Sequence, residues 1–201
     1  MIKRSDSSVK TEAAVIEDTV TRAAGLTRLL LAFGRHQTIE ARDVDVNAVI
    51  RDAEPLLRRF AGDNQLAIEL GTDLGAVRAD PTQLQQVLLN LVGNARDALA
   101  TPGTVTVRTA MASASQLVHA PGWIPPRAGA VTLEVIDTGA GMTAEVKARV
   151  FEPFFTTKLP GEGTGIGLAA VLEIVEHAGG VISVESEPGQ GTCFTIVLPV
   201  H

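Results

Sequence analysis

The stretch QVLLNLVGNARD, residues 86–97, places two asparagines four residues apart within an otherwise apolar run. Residues four apart lie on the same face of a helix, so Asn90 and Asn94 are predicted to point the same way. Asparagine is a poor residue for a helix interior. Its amide oxygen is a neutral ligand that suits Mg²⁺, which usually keeps waters and substrate phosphates as its other ligands. The stretch favours a metal and phosphate site, although two solvated asparagines would give the same pattern.

A helix is predicted around this stretch, from Asp80-Pro81 to about Leu99, because proline is favoured in a first helical turn. Its apolar face is predicted to consist of Leu84, Val87, Leu88, Leu91, Ala95 and Ala98. Upstream, the pattern predicts another helix over residues 45–60, starting near Asp45 or Asn47, and strands over 66–70 and 76–78. The helix that carries the two asparagines is therefore expected to pack on its neighbours through one side only.

Downstream of residue 99, short strands and helices alternate unevenly. Strands are predicted over residues 105–109 and 131–136, a short helix between 143 and 155, a longer helix over 165–178, and a closing hairpin from 181–185 and 192–198. This order favours an α+β sandwich with helices on one face of a mixed sheet. Before it, residues 11–35 show the apolar spacing of one long amphipathic helix. That helix lies either on its own domain or in a helical hairpin whose other arm is absent.

The bulk composition excludes several classes of protein. The 201 residues are 45% hydrophobic and carry a formal net charge of −6, which argues against a nucleic-acid-binding surface. The single cysteine cannot form an internal disulfide, and no Cys/His cluster has metal-ligand spacing. No apolar run approaches the roughly 18 residues that span a bilayer. We therefore expect a cytoplasmic domain without direct membrane contact, which could be the cytosolic part of a membrane-bound sensor.

The stretch DTGAG, residues 137–141, follows directly after a predicted strand. A carboxylate at a strand end, here Asp137, can accept a hydrogen bond from an exocyclic amine. The glycines Gly139 and Gly141 let the backbone approach a flat ring closely. An ordinary turn would show the same residues.

The stretch GEGTGIGL, residues 161–168, comes immediately before a predicted helix. Small residues expose backbone N–H groups, and a helix N-terminus favours phosphate. The stretch lacks the Gly-Lys-Ser/Thr ending of a Walker loop and the βα unit of a Rossmann turn. It therefore predicts a phosphate-binding loop of another kind, with a flexible linker as the alternative.

The stretch FEPFFTTK, residues 151–158, contains three of the six phenylalanines in the chain. Such clustering in a loop is typical of an anchor that packs and then releases a mobile lid. Plain core packing would explain it equally well, and the two interpretations are compatible.

In this order the four stretches resemble the N, G1, F and G2 boxes of the histidine protein kinases. GQGTCF, residues 189–194, resembles the last glycine box of the same family, and the match covers about residues 45–199. The resemblance implies a Bergerat-type ATP-binding fold, which gyrase, Hsp90 and MutL proteins share. It also implies ATP and Mg²⁺ as ligands.

The resemblance assigns a role to each motif residue. Asn90 would hold Mg²⁺, Asn94 would reach Mg²⁺ or phosphate, and Asp137 would bind the adenine amino group. Gly139 and Gly141 would shape the pocket, and Thr192 would lie beside the adenine. The phosphates would be wrapped by Gly163, Gly165 and Gly167, with Arg96 and Lys158 as candidate contacts. Further nucleotide contacts are expected from the neighbouring residues Asp97, Met142, Thr164, Ile166 and Leu168.

Residues 19–35 resemble the second helix of the dimerisation and phosphoacceptor hairpin of these kinases. The resemblance thus divides the chain into a partial dimerisation region, residues 1–37, and a catalytic ATP-binding domain, residues 45–201. The first hairpin helix, which normally carries the phosphorylated histidine, is missing. None of His36, His119, His177 and His201 is followed by the residues of the phosphoacceptor box, so no phosphoacceptor is assigned. The full-length protein is expected to be a homodimer.

Relatives that hydrolyse ATP place a glutamate four residues before the first asparagine, where it can activate water. Gln86 occupies that position here and cannot act as a general base at neutral pH. Phosphoryl transfer depends mainly on positioning and charge stabilisation. We therefore expect the γ-phosphoryl group to pass to a histidine outside this chain and then to an aspartate of a response regulator receiver domain. The alternatives are an ATP-driven machine of the gyrase, Hsp90 or MutL kind, and a regulatory module that binds nucleotide without catalysis.

Overall fold

The computed structural model describes residues 40–113, 123, 127–159 and 163–201. Contacts divide the chain between residues 39 and 40 into two units, and all described residues belong to the second. The amphipathic helix predicted over residues 11–35 lies outside the described residues.

The helices of the described region are α1 (Val46–Ala61), α2 (Pro81–Ala98), α3 (Ala144–Arg149) and α4 (Gly167–His177). Asp45 caps α1 by accepting a hydrogen bond of 2.8 Å from the backbone N–H of Asn47. Asp80 caps α2 in the same way, and Pro81 fills its first turn, where a missing N–H costs nothing. The predicted starts of α1 and α2 are thus confirmed, whereas α4, predicted from residue 165, begins at Gly167. Among the described residues, no helix combines the length and the hydropathy that crossing a bilayer requires.

The described region is built on a five-stranded mixed sheet. Its strands are β2 (Gln65–Leu70), β4 (Thr104–Met111), β5 (Ala130–Asp137), β6 (Val181–Ser186) and β7 (Thr192–Pro199). They lie in the order β2-β4-β5-β7-β6, with β2 and β4 parallel and all other neighbours antiparallel. The closing hairpin predicted from the last two strands is confirmed.

A second, two-stranded sheet joins β1 (Arg42–Val44) antiparallel to β3 (Val77–Ala79). The sequence did not predict β1, since a strand of three residues with two charges shows no alternation of apolar and polar side chains. The strand predicted at 76–78 lies one residue later, because Val77 and Ala79 face the core while Arg78 is exposed.

Helices α1, α2 and α4 cover one face of the large sheet. Val131, Leu133 and Val135 alternate along β5 and are fully buried in a core shared with Leu88 and Leu91 of α2. The opposite face carries a row of charges, in which Arg108 forms ion pairs with Glu69 on β2 and Glu134 on β5. The predicted α+β sandwich, with helices on one face of a mixed sheet, is confirmed.

The buried face of α2 differs from the prediction at two positions. Val92 is fully buried, although it was not predicted to be, because it lies one turn after Leu88 and widens the apolar stripe. Ala98 was predicted to be buried and is only half-buried, since it sits at the end of α2 and lines an open cavity.

Candidate functional site

Helix α2 presents Asn90 and Asn94 to an open cavity of about 730 Å³. Leu88, Leu91 and Ala95 on its other side are buried in the core, so the helix cannot rotate without exposing them. Both asparagines are half-buried, and the shared face predicted for them is observed. Gln86, one turn earlier, is not among the residues that line this cavity.

Asp137 is the last residue of β5 and, with 5% of its surface exposed, is the single buried charged residue of the described region. Its Oδ1 accepts a hydrogen bond of 2.8 Å from the backbone N–H of Gly139. Burial raises the pKa of the Asp137 carboxyl, and hydrogen bonds from the backbone N–H groups of Gly139 and Thr192 only partly offset this effect. A buried carboxylate that still has lone pairs without a hydrogen-bond donor is suited to accept a hydrogen bond from a ligand.

Two backbone segments interlock beside Asp137. A Cβ on Gly141 would lie within 1.9 Å of the carbonyl oxygen of Glu187, and a Cβ on Gly191 within 2.0 Å of the carbonyl oxygen of Asp137. Both glycines also have positive φ angles, +66° and +80°. Gly139 lies behind the cavity wall, where a Cβ would meet the carbonyl oxygen of Ala98 at 2.7 Å. Glycine is therefore required here for close approach of the two segments.

Ser186, the last residue of β6, ties these segments together through its side chain. Its Oγ accepts a hydrogen bond of 2.8 Å from the backbone N–H of Met142 and donates one of 2.8 Å to the carbonyl oxygen of Gly191. It also lies 3.0 Å from the hydroxyl of Thr192. Sequence reasoning missed Ser186, because a single serine at the end of a strand carries no signal of a special role.

Helix α4 begins beside the two asparagines. The Oδ1 of Asn90 lies 3.6 Å from the place that a Cβ on Gly167 would occupy, so the amide faces the first turn of α4. Within the described residues, side chains cap α1, α2 and α3, whereas Ile166 at the N-cap of α4 makes no such hydrogen bond. The first N–H groups of α4 are thus available to an anion at the cavity wall.

The chain matches the family model of histidine kinase-, DNA gyrase B- and HSP90-like ATPases over residues 79–201. It belongs to this family. The sensor kinase CckA of Brucella abortus is 45% identical over 185 residues, which are 92% of this chain and 20% of that protein. The sensor histidine kinase ZraS of Klebsiella oxytoca is 37% identical over 174 residues, 86% of this chain and 34% of that protein. The chain thus spans about a fifth to a third of these relatives' length.

Solved structures with the same fold include a sensor histidine kinase and a protein in complex with a nucleotide analogue. The mycobacterial sensor histidine kinase MprB aligns with a TM-score of 0.62 at 27% identity, covering 79% of this chain and 97% of that one. Full-length ShkA, solved in complex with AMPPNP, aligns with a TM-score of 0.64 at 29% identity, covering 80% of this chain and 31% of that one. The resemblance to the histidine kinase ATP-binding domain, drawn from the sequence, is confirmed.

In this ATPase-family domain, most of the predicted site residues line one cavity. They are Asn90, Asn94, Arg96, Asp97, Asp137, Gly141, Met142, Lys158, Gly163, Thr164, Gly165, Gly167, Leu168 and Thr192. Gln86, Gly139 and Ile166 do not line it. Phe60 of α1 also lines the cavity and was not among the predicted site residues.

The three phenylalanines of the stretch at residues 151–158 lie in different environments. Phe151 packs edge-to-face against Phe194 of β7, with ring centroids 6.2 Å apart. Phe155 lines the cavity beneath the guanidinium of Arg149, which lies 4.3 Å from its ring centroid. Phe154 has a φ of +68° and leaves 74% of its surface exposed. Core packing is thus observed for Phe151, and the release of a lid stays a prediction.

Two cations and one carboxylate meet at the cavity wall. Asp97 on α2 receives the ammonium of Lys158 on one oxygen and the guanidinium of its neighbour Arg96 on the other. Burial raises the pKa of Asp97, but the hydrogen bonds from Lys158 and Arg96 outweigh it and leave the pKa below its usual value. Asp97 is therefore ionised at neutral pH, and the three side chains together carry one positive charge.

Proposed function

We propose that this chain is the ATP-binding catalytic part of a two-component sensor histidine kinase. It would transfer the γ-phosphoryl group of ATP to a histidine on a helix outside the chain, for relay to an aspartate of a response regulator. One observation carries the proposal: a buried carboxylate, Asp137, and the uncapped start of α4 line the same cavity. The first suits an amine and the second suits phosphate, which are the two ends of ATP.

The base end of the nucleotide belongs at Asp137. A 6-amino group can donate to the carboxylate oxygen, and the glycines of the interlocked segments allow the ring to lie against the backbone. Met142, Leu89 and Phe194 supply apolar lining for the ring.

The phosphate end belongs between α2 and α4. The first N–H groups of α4, together with the cations Lys158 and Arg96, would receive the phosphate oxygens. Asn90 would hold Mg²⁺, with Asn94 reaching the metal or a phosphate. The amide of Asn90 faces the first turn of α4, and a neutral amide oxygen there fits a metal that keeps waters and phosphates as its other ligands. The described residues contain no cluster of three acidic, histidine or cysteine side chains. The metal would neutralise charge that develops on the transferring phosphoryl group.

Transfer to a protein nucleophile is favoured over hydrolysis. The residue four positions before Asn90 is the amide Gln86, which lies outside the cavity lining and cannot deprotonate water. ShkA, a neighbour in fold, was solved with AMPPNP, an analogue of ATP, and this supports a nucleotide at the equivalent place.

The parent protein would be a homodimer whose phosphoacceptor hairpin includes residues 1–37, with residues 45–201 as the catalytic domain. The relatives' names support a sensor kinase. We propose that it signals to a response regulator receiver domain, in the cytoplasm or at the cytoplasmic side of a membrane. The net charge of −6 argues against a nucleic-acid-binding surface.

The decisive experiment mixes this chain with ATP labelled in its γ-phosphoryl group and with a separate protein that carries a phosphoacceptor hairpin. We expect label on the acceptor that is lost in acid and kept in base, as for phosphohistidine. An acceptor with its histidine replaced by glutamine is the matched control. The Asn90→Ala variant of the chain should transfer no label, while the exposed-site variant Asp52→Asn should transfer as the wild type does.

Two other outcomes would select the alternatives. ATP turnover by the isolated chain without any acceptor would favour an ATP-driven machine. Saturable ATP binding with neither turnover nor transfer would favour a regulatory nucleotide-binding module. A Gln86→Glu variant adds a check on the argument about water. A gain of hydrolysis would show that the missing carboxylate is what keeps water from attacking the γ-phosphoryl group, and no gain would remove that argument while leaving the binding proposal intact.

A further inference from the structure

The hydroxyl of Ser186 makes three hydrogen-bond contacts, and the donor and the acceptor in each of them can be assigned. A serine hydroxyl has one donor proton and two acceptor lone pairs. The carbonyl oxygen of Gly191, 2.8 Å away, can only accept, so it takes the single proton of Ser186. The backbone N–H of Met142, also at 2.8 Å, can only donate, so it occupies one lone pair.

One contact then remains, and its direction is fixed. The hydroxyl of Thr192 lies 3.0 Å from Ser186 Oγ, which has no proton left to give. Thr192 must therefore donate its own proton to the second lone pair of Ser186. Lys147 contacts the backbone carbonyl of Ser186 rather than its hydroxyl, so it leaves this count unchanged. Of the four residues in this network, Ser186, Gly191 and Thr192 are buried and Met142 is half-buried.

The direction of this hydrogen bond determines what the Thr192 hydroxyl can offer to a ligand in the cavity. Thr192 and Asp137 are paired residues on the neighbouring strands β7 and β5, and both line the cavity. With its proton committed to Ser186, Thr192 offers the cavity lone pairs only, as the Asp137 carboxylate does. A ligand group received between them has to supply the protons itself.

We propose that Ser186 is a positioning residue that holds Thr192 as a hydrogen-bond acceptor. Thr192 and Asp137 then form a paired acceptor that selects a base with an amino group at this edge and rejects one with a carbonyl oxygen. This rests on the proposed binding of ATP and adds to it a specificity residue that never touches the nucleotide.

The test compares the dissociation constants of ATP and inosine triphosphate, whose bases differ by an amino group and a carbonyl oxygen at position 6. We expect the wild type to prefer ATP. In Ser186→Ala the hydroxyl of Thr192 becomes free to donate to the carbonyl, so the preference should fall by about fivefold, the effect of one hydrogen bond. Ser186→Thr keeps the hydroxyl and should prefer ATP as the wild type does.

A double-mutant cycle with Thr192→Val separates specificity from damage to the fold. In the Thr192→Val background, Ser186→Ala should leave the preference unchanged, because the hydroxyl through which it acts is gone. If Ser186→Ala does not fold, Thr192→Val alone serves, since loss of the acceptor should by itself weaken the rejection of inosine triphosphate. A merely structural role would weaken both nucleotides equally.

An unchanged or increased preference for ATP in folded Ser186→Ala would overturn the inference while ATP binding stands. Failure of the wild type to bind either nucleotide would instead overturn the proposed function, and this inference with it.

Discussion

The ammonium nitrogen of Lys158 lies 2.5 Å from Oδ2 of Asp97, so a cation from the loop after α3 is held by a carboxylate on α2 at the cavity wall. Arg96 occupies the other oxygen of the same carboxylate. The two cations that the sequence resemblance assigned to phosphate are thus paired with Asp97 in this structure. A phosphate entering the cavity has to compete with that carboxylate for them.

Replacing Asp97 by asparagine should therefore tighten ATP binding. The variant keeps the shape of the side chain and raises the charge of the cluster by one, which we expect to lower the dissociation constant about threefold, because partly exposed ion pairs contribute ~1 kcal/mol or less. The gain should shrink as salt is added. Titrations at two ionic strengths would measure it, with Asp52→Asn on α1 as the control. Weaker binding, as expected for Lys158→Ala, would mean that Asp97 itself supports the nucleotide.

Asp137 should lower the stability of the fold at neutral pH. Burial raises the pKa of its carboxyl above the unfolded value, so folding disfavours the ionised form. This cost is absent below the unfolded pKa, grows as pH rises through the folded pKa, and is complete above it. Asp137→Asn should therefore unfold at a temperature roughly 2–4 °C higher than the wild type at pH 7, if about 1 kcal/mol is recovered.

The same comparison in acid supplies the check on that prediction. Near pH 3 the wild-type carboxyl is protonated in both states, so the difference between the two melting temperatures should vanish. Asp63→Asn, an exposed change, should show no difference at either pH. A variant less stable than the wild type at pH 7 would show that the hydrogen bonds of Asp137 outweigh its burial.

Two glycines of the turn between β6 and β7 should respond differently to alanine. Both Gly189 and Gly191 have positive φ angles, but a Cβ on Gly189 meets nothing within 4 Å, whereas one on Gly191 lies 2.0 Å from the carbonyl oxygen of Asp137. Gly189→Ala should cost about 1 kcal/mol of unfolding free energy through backbone strain alone. Gly191→Ala should cost at least ~2 kcal/mol and weaken ATP binding, because the strand end that carries Asp137 has to move. Urea unfolding and ATP titration would show equal losses if the close approach were unimportant.

Asn47 should stabilise the fold without affecting the site. It is buried in the first turn of α1, where its Nδ2 donates to the carbonyl oxygen of Gly71 at 2.9 Å and its Oδ1 accepts from Thr109 at 2.7 Å. Asn47→Ala removes both of these hydrogen bonds and should cost roughly 1–3 kcal/mol. The affinity for ATP measured well below the melting temperature should not change. A loss of affinity in the folded variant would tie this corner of the molecule to the cavity.

The sequence predicted the parts of the site that depend on local pattern. The spacing of Asn90 and Asn94 on an amphipathic helix, and Gly141 close after Asp137, are visible over a few residues, and these residues all line the one cavity. Contacts between distant residues were not predictable: Lys158 and Asp97 lie 61 residues apart, and the pairing follows from how the loop folds over α2. Ser186 was missed for the same reason, since its three partners come from two separate turns. Gln86, Gly139 and Ile166 show that a motif position need not face the cavity.

The account depends most on the base being received at Asp137. A calorimetric titration of ATP with Mg²⁺ into the wild-type chain and into Asp137→Asn tests this directly. We predict one saturable site in the wild type and affinity at least about tenfold lower in the variant, because a hydrogen bond to a charged acceptor is worth roughly 1.5–3 kcal/mol. The variant should bind more weakly even though it is more stable at pH 7. Equal affinity in the two proteins would contradict the account.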